Sequence, residues 1–443
     1  MSGIDPGDEY ISMKNLIGIW LMSICVQAVS AQYPQLPADS ILLYFAQTQE
    51  ATRACFSLWN KDLYGPIMLV DSDTRELFAN VRDRKHSLTP SEGLYKGLLP
   101  EEIPVSNTNV EWGGLQWAMI TLPLPHNRFD RVELMTHELF HCAQSSLGFH
   151  FQREENSHLD RREGRIYLRL ELEALYQALS AGRYTRSVEH LQNALLFRKY
   201  RHQLYRGSET AENQLELLEG LATYTGQMMS GRDKWQWRDY LMARLQAFGK
   251  NRSFVRTFAY ETIPVYGFFL YQKENQWNKR VDSDTDLTEF FVEAFHMDKR
   301  ILLQSYVKQV AEEYNGRKIA DEELKRELSN NARQDIYREK FLNEPHLEIR
   351  LEEMDLSYDL DGVFPLDEDE GTVYLSLQIS DRWGVLHVDK GGALMRSDWR
   401  WVIVSRPLEI DGNRVTGEGW TLNMKDGYYI EETAGGVYLI SRK

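Results

Sequence analysis

The chain has 443 residues, of which 42% are hydrophobic and 12% aromatic, and this composition excludes an intrinsically disordered protein. Its length allows two or three domains with substantial cores. The formal net charge is −15 and no predicted element carries a basic stripe, so we expect no nucleic-acid partner.

An export signal is predicted near the N-terminus. Met13-Lys14-Asn15 supplies a basic start, residues 16–26 form a short apolar run, and Val29-Ser30-Ala31 supplies small residues for cleavage after Ala31. The apolar run is too short to span a bilayer comfortably. We therefore expect residues 1–31 to be a leader and signal peptide, with Met13 as the true start or residues 1–12 as a dispensable extension. The mature chain is expected to be periplasmic or extracellular, without a membrane span.

Residues 32–130 are predicted to form an α+β part. A helical apolar pattern covers residues 38–60 and begins near Asp39 or Ser40. Two β-hairpins should follow, because alternating apolar runs flank short polar or Gly-Gly turns. Their strands are residues 66–71 with 75–81, and residues 108–112 with 115–122.

The next segment contains His137-Glu138-Leu139-Phe140-His141, an H-E-x-x-H motif in a run without proline or internal glycine. Residues four apart share one face of a helix, so two neutral imidazoles can bind one Zn²⁺. Glu138 lies beside the first histidine, where its carboxylate could accept a proton from water. The alternative is a helix that carries two histidines without a metal, because the pentapeptide supplies only two ligands.

The third ligand is expected from Glu216-Leu-Leu-Glu219-Gly-Leu-Ala-Thr-Tyr224. A metzincin continuation is excluded, because Gln144 and Leu147 stand where Gly and His would be required. With Glu219, Gly220, Ala222 and Tyr224, the sequence resembles the gluzincin branch of the zinc metallopeptidases, which completes its site with the glutamate of E-G-x-A-x-Y. The resemblance implies Glu219 as the third ligand and a zincin-like, mostly helical catalytic domain. Glu216, one turn earlier, is the rival ligand.

The likeness extends to secreted bacterial proteins that pair HELFH with EGLA-Y, and it names no substrate. Gluzincins often place a tyrosine or histidine downstream to stabilise the tetrahedral oxyanion. The resemblance therefore makes Tyr266 and Tyr260 candidate catalytic residues, with His296 as a weaker alternative. Each tyrosine could equally be an ordinary core or rim aromatic, because the chain contains 23 tyrosines.

The sequence leaves open the roles of two further polar residues and the pairing of two cysteines. His158 and Asp160 could hydrogen-bond the metal histidines, or could belong to a loop that caps the helix predicted from Gly164. Cys55 and Cys142 could form a disulfide in an oxidising compartment. Cys142 is more typical of a buried small apolar residue, because it follows a ligand histidine on a packed helix.

Residues 131–345 are expected to form the helical zinc-site part of the catalytic unit, with helices at 164–181, 187–205 and 298–344, the last interrupted at Asn315-Gly316. From residue 346 the pattern changes to short alternating runs separated by Asp-Gly and Gly-Gly turns. This pattern predicts an all-β C-terminal sandwich or barrel over residues 346–443. The predicted fold class is therefore α+β.

These observations predict an exported zinc metallopeptidase that hydrolyses peptides or proteins with Zn²⁺ as its only cofactor. The resemblance implies that the strands precede the active-site helix as in a zincin catalytic domain, where an edge strand above that helix can pair with an extended peptide substrate. The alternative is a non-catalytic or differently specialised protein on a zincin scaffold that acts through the C-terminal β domain. The oligomeric state and the choice between internal and terminal cleavage are left open.

Overall fold

The computed structural model describes residues 37–152, 154–297, 303–359, 362–367, 369–433 and 435–442. The predicted leader and signal peptide, residues 1–31, lie outside this range, as do the first residues of the helical region predicted from 298. The chain divides into two compact units, residues 35–329 and residues 330–443, and the fold is α+β. No helix in the described ranges combines the length and apolarity needed to cross a bilayer.

The first unit begins with a helix and a six-stranded sheet. Helix α1 starts after Pro37 and not at the predicted Asp39 or Ser40 cap. The sheet order is β3-β4-β2-β1-β6-β5, with β1 and β6 parallel and all other neighbours antiparallel. The bounds are α1 Ala38–Ala54, β1 Ile67–Asp71, β2 Glu76–Ala79, β3 Thr89–Ser91, β4 Leu94–Leu98, β5 Thr108–Trp112 and β6 Leu115–Leu122.

Both predicted hairpins are present. Strands β1 and β2 pair around residues 72–75, and β5 and β6 pair around Gly113-Gly114. Both glycines have positive φ (58° and 82°), which glycine adopts without the steric cost of a Cβ atom. The second hairpin places β5 at an edge of the sheet.

Helices form the remainder of the first unit. One face of the sheet packs on α1 and α2 through Ile41, Phe45, Met135 and Leu139, so the helix with the H-E-x-x-H motif lies directly on the sheet. The bounds are α2 Arg128–Gln144, α3 Arg162–Ser180, α4 Tyr184–Leu204, α5 Ser208–Leu215, α6 Leu221–Met229, α7 Lys234–Phe248, α8 Ala259–Lys273, α9 Leu287–Ala294, α10 Gln304–Ala311 and α11 Gly316–Arg338. A π-turn, Glu216–Gly220, joins α5 to α6. Asn315, with φ of 59°, ends the segment before α11, where the sequence predicted a break.

The second unit, residues 330–443, contains the end of α11 and an all-β sandwich whose first strand, β7, begins at His346. Its sheets have the orders β18-β19-β7-β14-β13-β10-β9 and β15-β16-β17-β12-β11-β8. Inward-facing residues of both sheets, including Ile349, Val404, Leu386 and Leu422, form one core. The bounds are β7 His346–Arg350, β8 Asp355–Tyr358, β9 Val363–Asp367, β10 Gly371–Tyr374, β11 Leu377–Asp381, β12 Gly384–Val388, β13 Ala393–Met395, β14 Trp401–Ser405, β15 Pro407–Asp411, β16 Arg414–Gly417, β17 Trp420–Met424, β18 Tyr428–Glu432 and β19 Val437–Arg442.

The second compact unit begins at residue 330, nearer the N-terminus than the predicted domain boundary at residue 346. Phe341, in the π-turn Glu339–Asn343, is fully buried against Phe364, Val373 and Ile403. These apolar side chains lie on the sheet face that does not form the sandwich core, so a helical segment covers that face.

Candidate metal centre

Helix α2 is built to hold polar side chains inside the protein. The Asn127 side chain caps its start by accepting a hydrogen bond of 2.8 Å from the Phe129 N–H. Met135 and Leu139 pack on the sheet, while Phe140 and Ala143 pack into the helical core. Because apolar contacts anchor the helix on both sides, the orientation of the histidines between those sides is fixed.

His137, His141 and Glu219 converge. The two Nε2 atoms are 3.0 Å apart, and Oε2 of Glu219 lies 3.4 Å from Nε2 of His137 and 3.3 Å from Nε2 of His141. Ligand atoms about 2.0–2.1 Å from a tetrahedral zinc ion are separated by roughly 3.3–3.4 Å. In the described part of the chain this is the one group of three or more His, Cys, Asp or Glu residues arranged to hold a metal ion. The two histidine–glutamate separations match this spacing and the histidine–histidine separation is slightly shorter, so the group is arranged to hold a metal ion.

The π-turn brings Glu219 to the histidines, and Gly220 permits this approach. A Cβ atom at residue 220 would lie 2.4 Å from Cγ1 of Ile263 on α8 and 3.2 Å from the carbonyl oxygen of Ala259. Side chains do not tolerate such contacts, so only glycine allows the turn and α8 to pack this closely. Gly220 therefore has a steric role in the E-G-x-A-x-Y pattern.

Tyr224, the last residue of the pattern, is a core residue. Its side chain is fully buried and its hydroxyl accepts a hydrogen bond of 3.0 Å from the Trp277 indole. Its ring would overlap a Cβ atom at residue 267, which explains the glycine there. The pattern thus combines one ligand with residues that pack the helix behind that ligand.

Hydrogen bonds to the other ring nitrogens set the tautomers of both histidines. Gln144 donates through Nε2 to the carbonyl oxygens of Leu218 (2.8 Å) and Leu217 (3.3 Å), so its Oε1 must accept from Nδ1 of His141 at 2.8 Å. In a neutral imidazole, a proton on Nδ1 leaves a free lone pair on Nε2. This tautomer can bind a metal through Nε2.

Thr223 plays the same part for His137. Its hydroxyl donates to the Glu219 carbonyl oxygen at 2.9 Å, and its Oγ1 lies 3.4 Å from Nδ1 of His137. The hydroxyl hydrogen is therefore already used, and the contact with His137 requires Nδ1 to be the donor. In their neutral form both histidines therefore turn the lone pair of Nε2 towards Oε2 of Glu219, where a shared cation would be held.

Electrostatics in the cluster keep Glu219 ionised. Burial alone would raise the pKa of Glu219, but hydrogen bonds and charge from His137 and His141 hold that pKa far below its usual range. Burial alone would likewise lower the pKa of His141, but Glu219 outweighs it and raises this pKa to about 9. The Glu219 carboxylate and the His141 imidazole therefore stabilise each other's charged forms. A metal ion held between them would replace the Nε2 proton of His141.

Glu138 lies beside this group and one of its carboxylate oxygens is unpartnered among the residues that the structure describes. Its side chain is 4% exposed, and within those residues Oε2 makes no hydrogen bond. Burial raises the pKa of Glu138, against the opposing influence of His137 and His141. A buried carboxylate with a free lone pair and a raised pKa can take up a proton from a nearby water.

Tyr260, on α8, is the predicted tyrosine that reaches the cluster. Its hydroxyl donates to Oε2 of Glu219 at 2.6 Å, and its ring stacks on that of His137 with centroids 5.7 Å apart. Burial and the negative charge of Glu219 raise the pKa of Tyr260, so it remains a protonated donor at neutral pH.

Tyr266 and Glu216, the alternative candidate for the third ligand, lie outside the cluster of His137, His141 and Glu219. Tyr266 is fully buried and its hydroxyl donates to Glu171 at 3.0 Å. Glu216 is 1% exposed and accepts two hydrogen bonds from Arg198, at 2.6 and 2.9 Å. Both belong to a buried ionic network rather than to the histidine cluster. Tyr266 consequently cannot act as the oxyanion donor predicted for it, because it has no exposed surface.

The remaining candidates also lie apart from the cluster. His158 hydrogen-bonds Glu212 at 2.7 Å, and Asp160 accepts from Ser253 at 3.0 Å. His296 is exposed, and Nζ of Lys273 lies 3.5 Å from its Nε2. The side chains that contact the Nδ1 atoms of His141 and His137 are instead Gln144 and Thr223.

Sequence reasoning missed these two residues. Gln144 stands three residues after His141, a spacing that brings side chains together on a helix, and Thr223 lies four residues after Glu219. Helical spacing was thus the available signal.

Cys55 and Cys142 are both free thiols, and burial raises the pKa of Cys142 to about 12.

Comparison with models of known protein families, with curated proteins and with solved structures finds no match for this chain.

Proposed function

We propose that this protein is an exported zinc metallopeptidase with a zincin-like catalytic unit of the gluzincin type. The observation that carries the proposal is the convergence of His137, His141 and Glu219 with separations of 3.0–3.4 Å. His₂Glu is a ligand set of catalytic zinc sites, which keep one position open for water or substrate. Export is proposed from the signal at residues 13–31.

Zinc in this site would supply a Lewis acid that lowers the pKa of water towards 7 and polarises a carbonyl group. Glu138 accepts the proton of the attacking water through its unpartnered Oε2 and then passes it to the leaving amine. As the water oxygen bonds to the carbonyl carbon and the C–N bond breaks, the products are a carboxylate and an amine. Tyr260 donates a hydrogen bond to the oxygen that becomes negative.

Strand β5 supports an extended peptide as substrate. It lies at the edge of the sheet, so in the described part of the chain one row of its backbone groups has no neighbouring strand. The strand is also close to the metal-binding helix, because Asn109 Nδ2 lies 3.5 Å from the carbonyl oxygen of His141. A peptide that adds to this edge would lie beside the cluster in extended form.

The test uses the mature protein and a proteome-derived peptide library, digested with and without a chelator. We expect one zinc ion per chain, cleavage that the chelator stops, and loss of bound zinc in Glu219→Ala. Glu138→Gln should retain zinc and lower kcat by about 10²–10⁴. The matched control is Glu101→Gln at an exposed glutamate, which should leave both properties unchanged.

Two results would contradict the proposal. A chain that binds no zinc would leave the histidine pair with a structural role. Zinc binding without hydrolysis, unchanged in Glu138→Gln, would instead favour a non-catalytic binding protein.

A further inference from the structure

Gln144 joins a ligand histidine on α2 to the π-turn that carries the third ligand. We propose that Gln144 is a positioning residue that couples these two elements and thereby sets the zinc affinity of the site. The inference rests on the proposed zinc function and deepens it, because it assigns the affinity to a side chain that does not itself bind the metal.

The contacts of the amide are divided between the two elements. Oε1 accepts from His141 Nδ1 at 2.8 Å, and Nε2 donates to the carbonyl oxygens of Leu218 at 2.8 Å and Leu217 at 3.3 Å. The side chain is 3% exposed, so water cannot readily replace these bonds. Because one planar amide makes both sets of hydrogen bonds, the orientation of the His141 ring and the position of the π-turn are fixed relative to each other.

The turn needs such an anchor because it departs from regular helix. Residues 216–220 form a π-turn, in which the backbone hydrogen-bond register shifts, and turns of this kind are frequent at functional sites. The two carbonyls that Gln144 binds immediately precede Glu219. A change in their position would move the Glu219 carboxylate relative to the two Nε2 atoms.

The turn is also held from a second direction. Glu216, at its start, is paired with Arg198 by hydrogen bonds of 2.6 and 2.9 Å and accepts from the Thr262 hydroxyl at 2.7 Å. This pair keeps the turn in the fold when Gln144 is changed. We therefore expect Gln144 variants to remain folded and to lose affinity rather than structure.

The experiment compares Gln144→Met, which removes both sets of hydrogen bonds at similar volume, with Gln144→Glu, which keeps an acceptor for His141 but has no donor for the turn. The matched control is Gln227→Met, since Gln227 is a buried glutamine on α6 that accepts from Trp237 Nε1 at 2.7 Å. Zinc Kd is measured by competition with a chromogenic chelator, the ligand geometry by the visible absorption of the Co²⁺-loaded protein, and folding by urea unfolding.

Both Gln144 variants are expected to bind zinc about 10–100-fold more weakly than the unmodified chain and to show an altered Co²⁺ spectrum. Gln227→Met should keep the affinity within about twofold, even with a comparable loss of stability. Wild-type affinity in Gln144→Met would overturn the inference. Wild-type affinity in Gln144→Glu would also overturn it, because contact with the turn would then be irrelevant. If Gln144→Met does not fold, Gln144→Glu decides the question alone.

These outcomes are separable from failure of the proposed function. A wild-type chain that binds zinc but cleaves no peptide would refute the peptidase, while the affinities would still decide the role of Gln144. A wild-type chain that binds no zinc would overturn both.

Discussion

The hydroxyl of Tyr260 donates a hydrogen bond of 2.6 Å to Oε2 of Glu219, the same oxygen that faces both histidine Nε2 atoms. A phenol proton is thus held against the one ligand atom shared by the whole cluster. In this position Tyr260 stabilises the ionised Glu219 carboxylate, and under the proposed function it would donate to a substrate oxygen beside that carboxylate.

Tyr260→Phe should therefore lower kcat by about 10²–10³ while zinc remains bound, because one donor to a developing oxyanion has an effect of this size. KM for a peptide substrate should change much less. Steady-state kinetics with zinc content measured on the same samples provide the check. Tyr306→Phe, at an exposed tyrosine, is the control. Equal kcat in Tyr260→Phe and the control would remove Tyr260 from the catalytic group.

Gly220→Ala should destabilise the first unit by about 1–3 kcal/mol, since the added methyl group overlaps Ile263 and forces the π-turn away from α8. The same shift should weaken zinc binding, because Glu219 precedes residue 220. Urea unfolding and chelator competition measure the two effects. Gly182→Ala is the matched control, because a Cβ at residue 182 meets nothing within 4 Å. Identical stability in the two variants would show that the contact with Ile263 does not constrain the turn.

Arg198→Met should lower the unfolding free energy by about 3–5 kcal/mol, because it leaves Glu216 buried without its cation and removes one of the two arginines paired with Glu171. Arg198→Met with Glu216→Gln should recover part of that loss, since one stranded charge is removed. Arg186→Met, in an exposed pair with Glu189 on the same helix, should cost no more than about 1 kcal/mol. Additive losses in the double variant would contradict coupling between Arg198 and Glu216.

Acid should weaken the fold partly through Glu212. Burial alone would raise the pKa of Glu212, but Arg201 and His202 bring it well below its ordinary value of 4.5. Because its folded-state pKa is depressed, the unfolded chain binds the proton more readily. The stabilisation by Glu212 is therefore present above the ordinary pKa of 4.5 and declines progressively as pH falls from there towards the lower folded-state pKa.

Urea unfolding between pH 3 and 7 tests this prediction about Glu212. Glu212→Gln should be less stable at pH 7, and its unfolding free energy should decline less steeply than that of the unmodified chain as the solution is acidified. Parallel pH profiles for the two chains would show that another carboxyl group governs the acid response.

The sequence alone determined the features that depend on local geometry. His137 and His141 share a helix face in any fold, because four residues make about one turn. The hairpins around residues 72–75 and Gly113-Gly114 follow from alternation and turn residues, and the α+β class follows from the change in pattern near His346. The sequence left both a sandwich and a barrel open for the C-terminal domain, and the observed sheet orders decide for the sandwich.

Tertiary structure decided which members of each candidate pair belong to the site. Glu216 and Glu219 are one turn apart and chemically alike, but Arg198 from α4 binds Glu216 and leaves Glu219 facing the histidines. Tyr260 and Tyr266 lie on one helix, yet Tyr260 meets Glu219 and Tyr266 meets Glu171. Each assignment depends on partners that are distant in the chain. Local periodicity carries no information about those partners, because packing between helices brings them together.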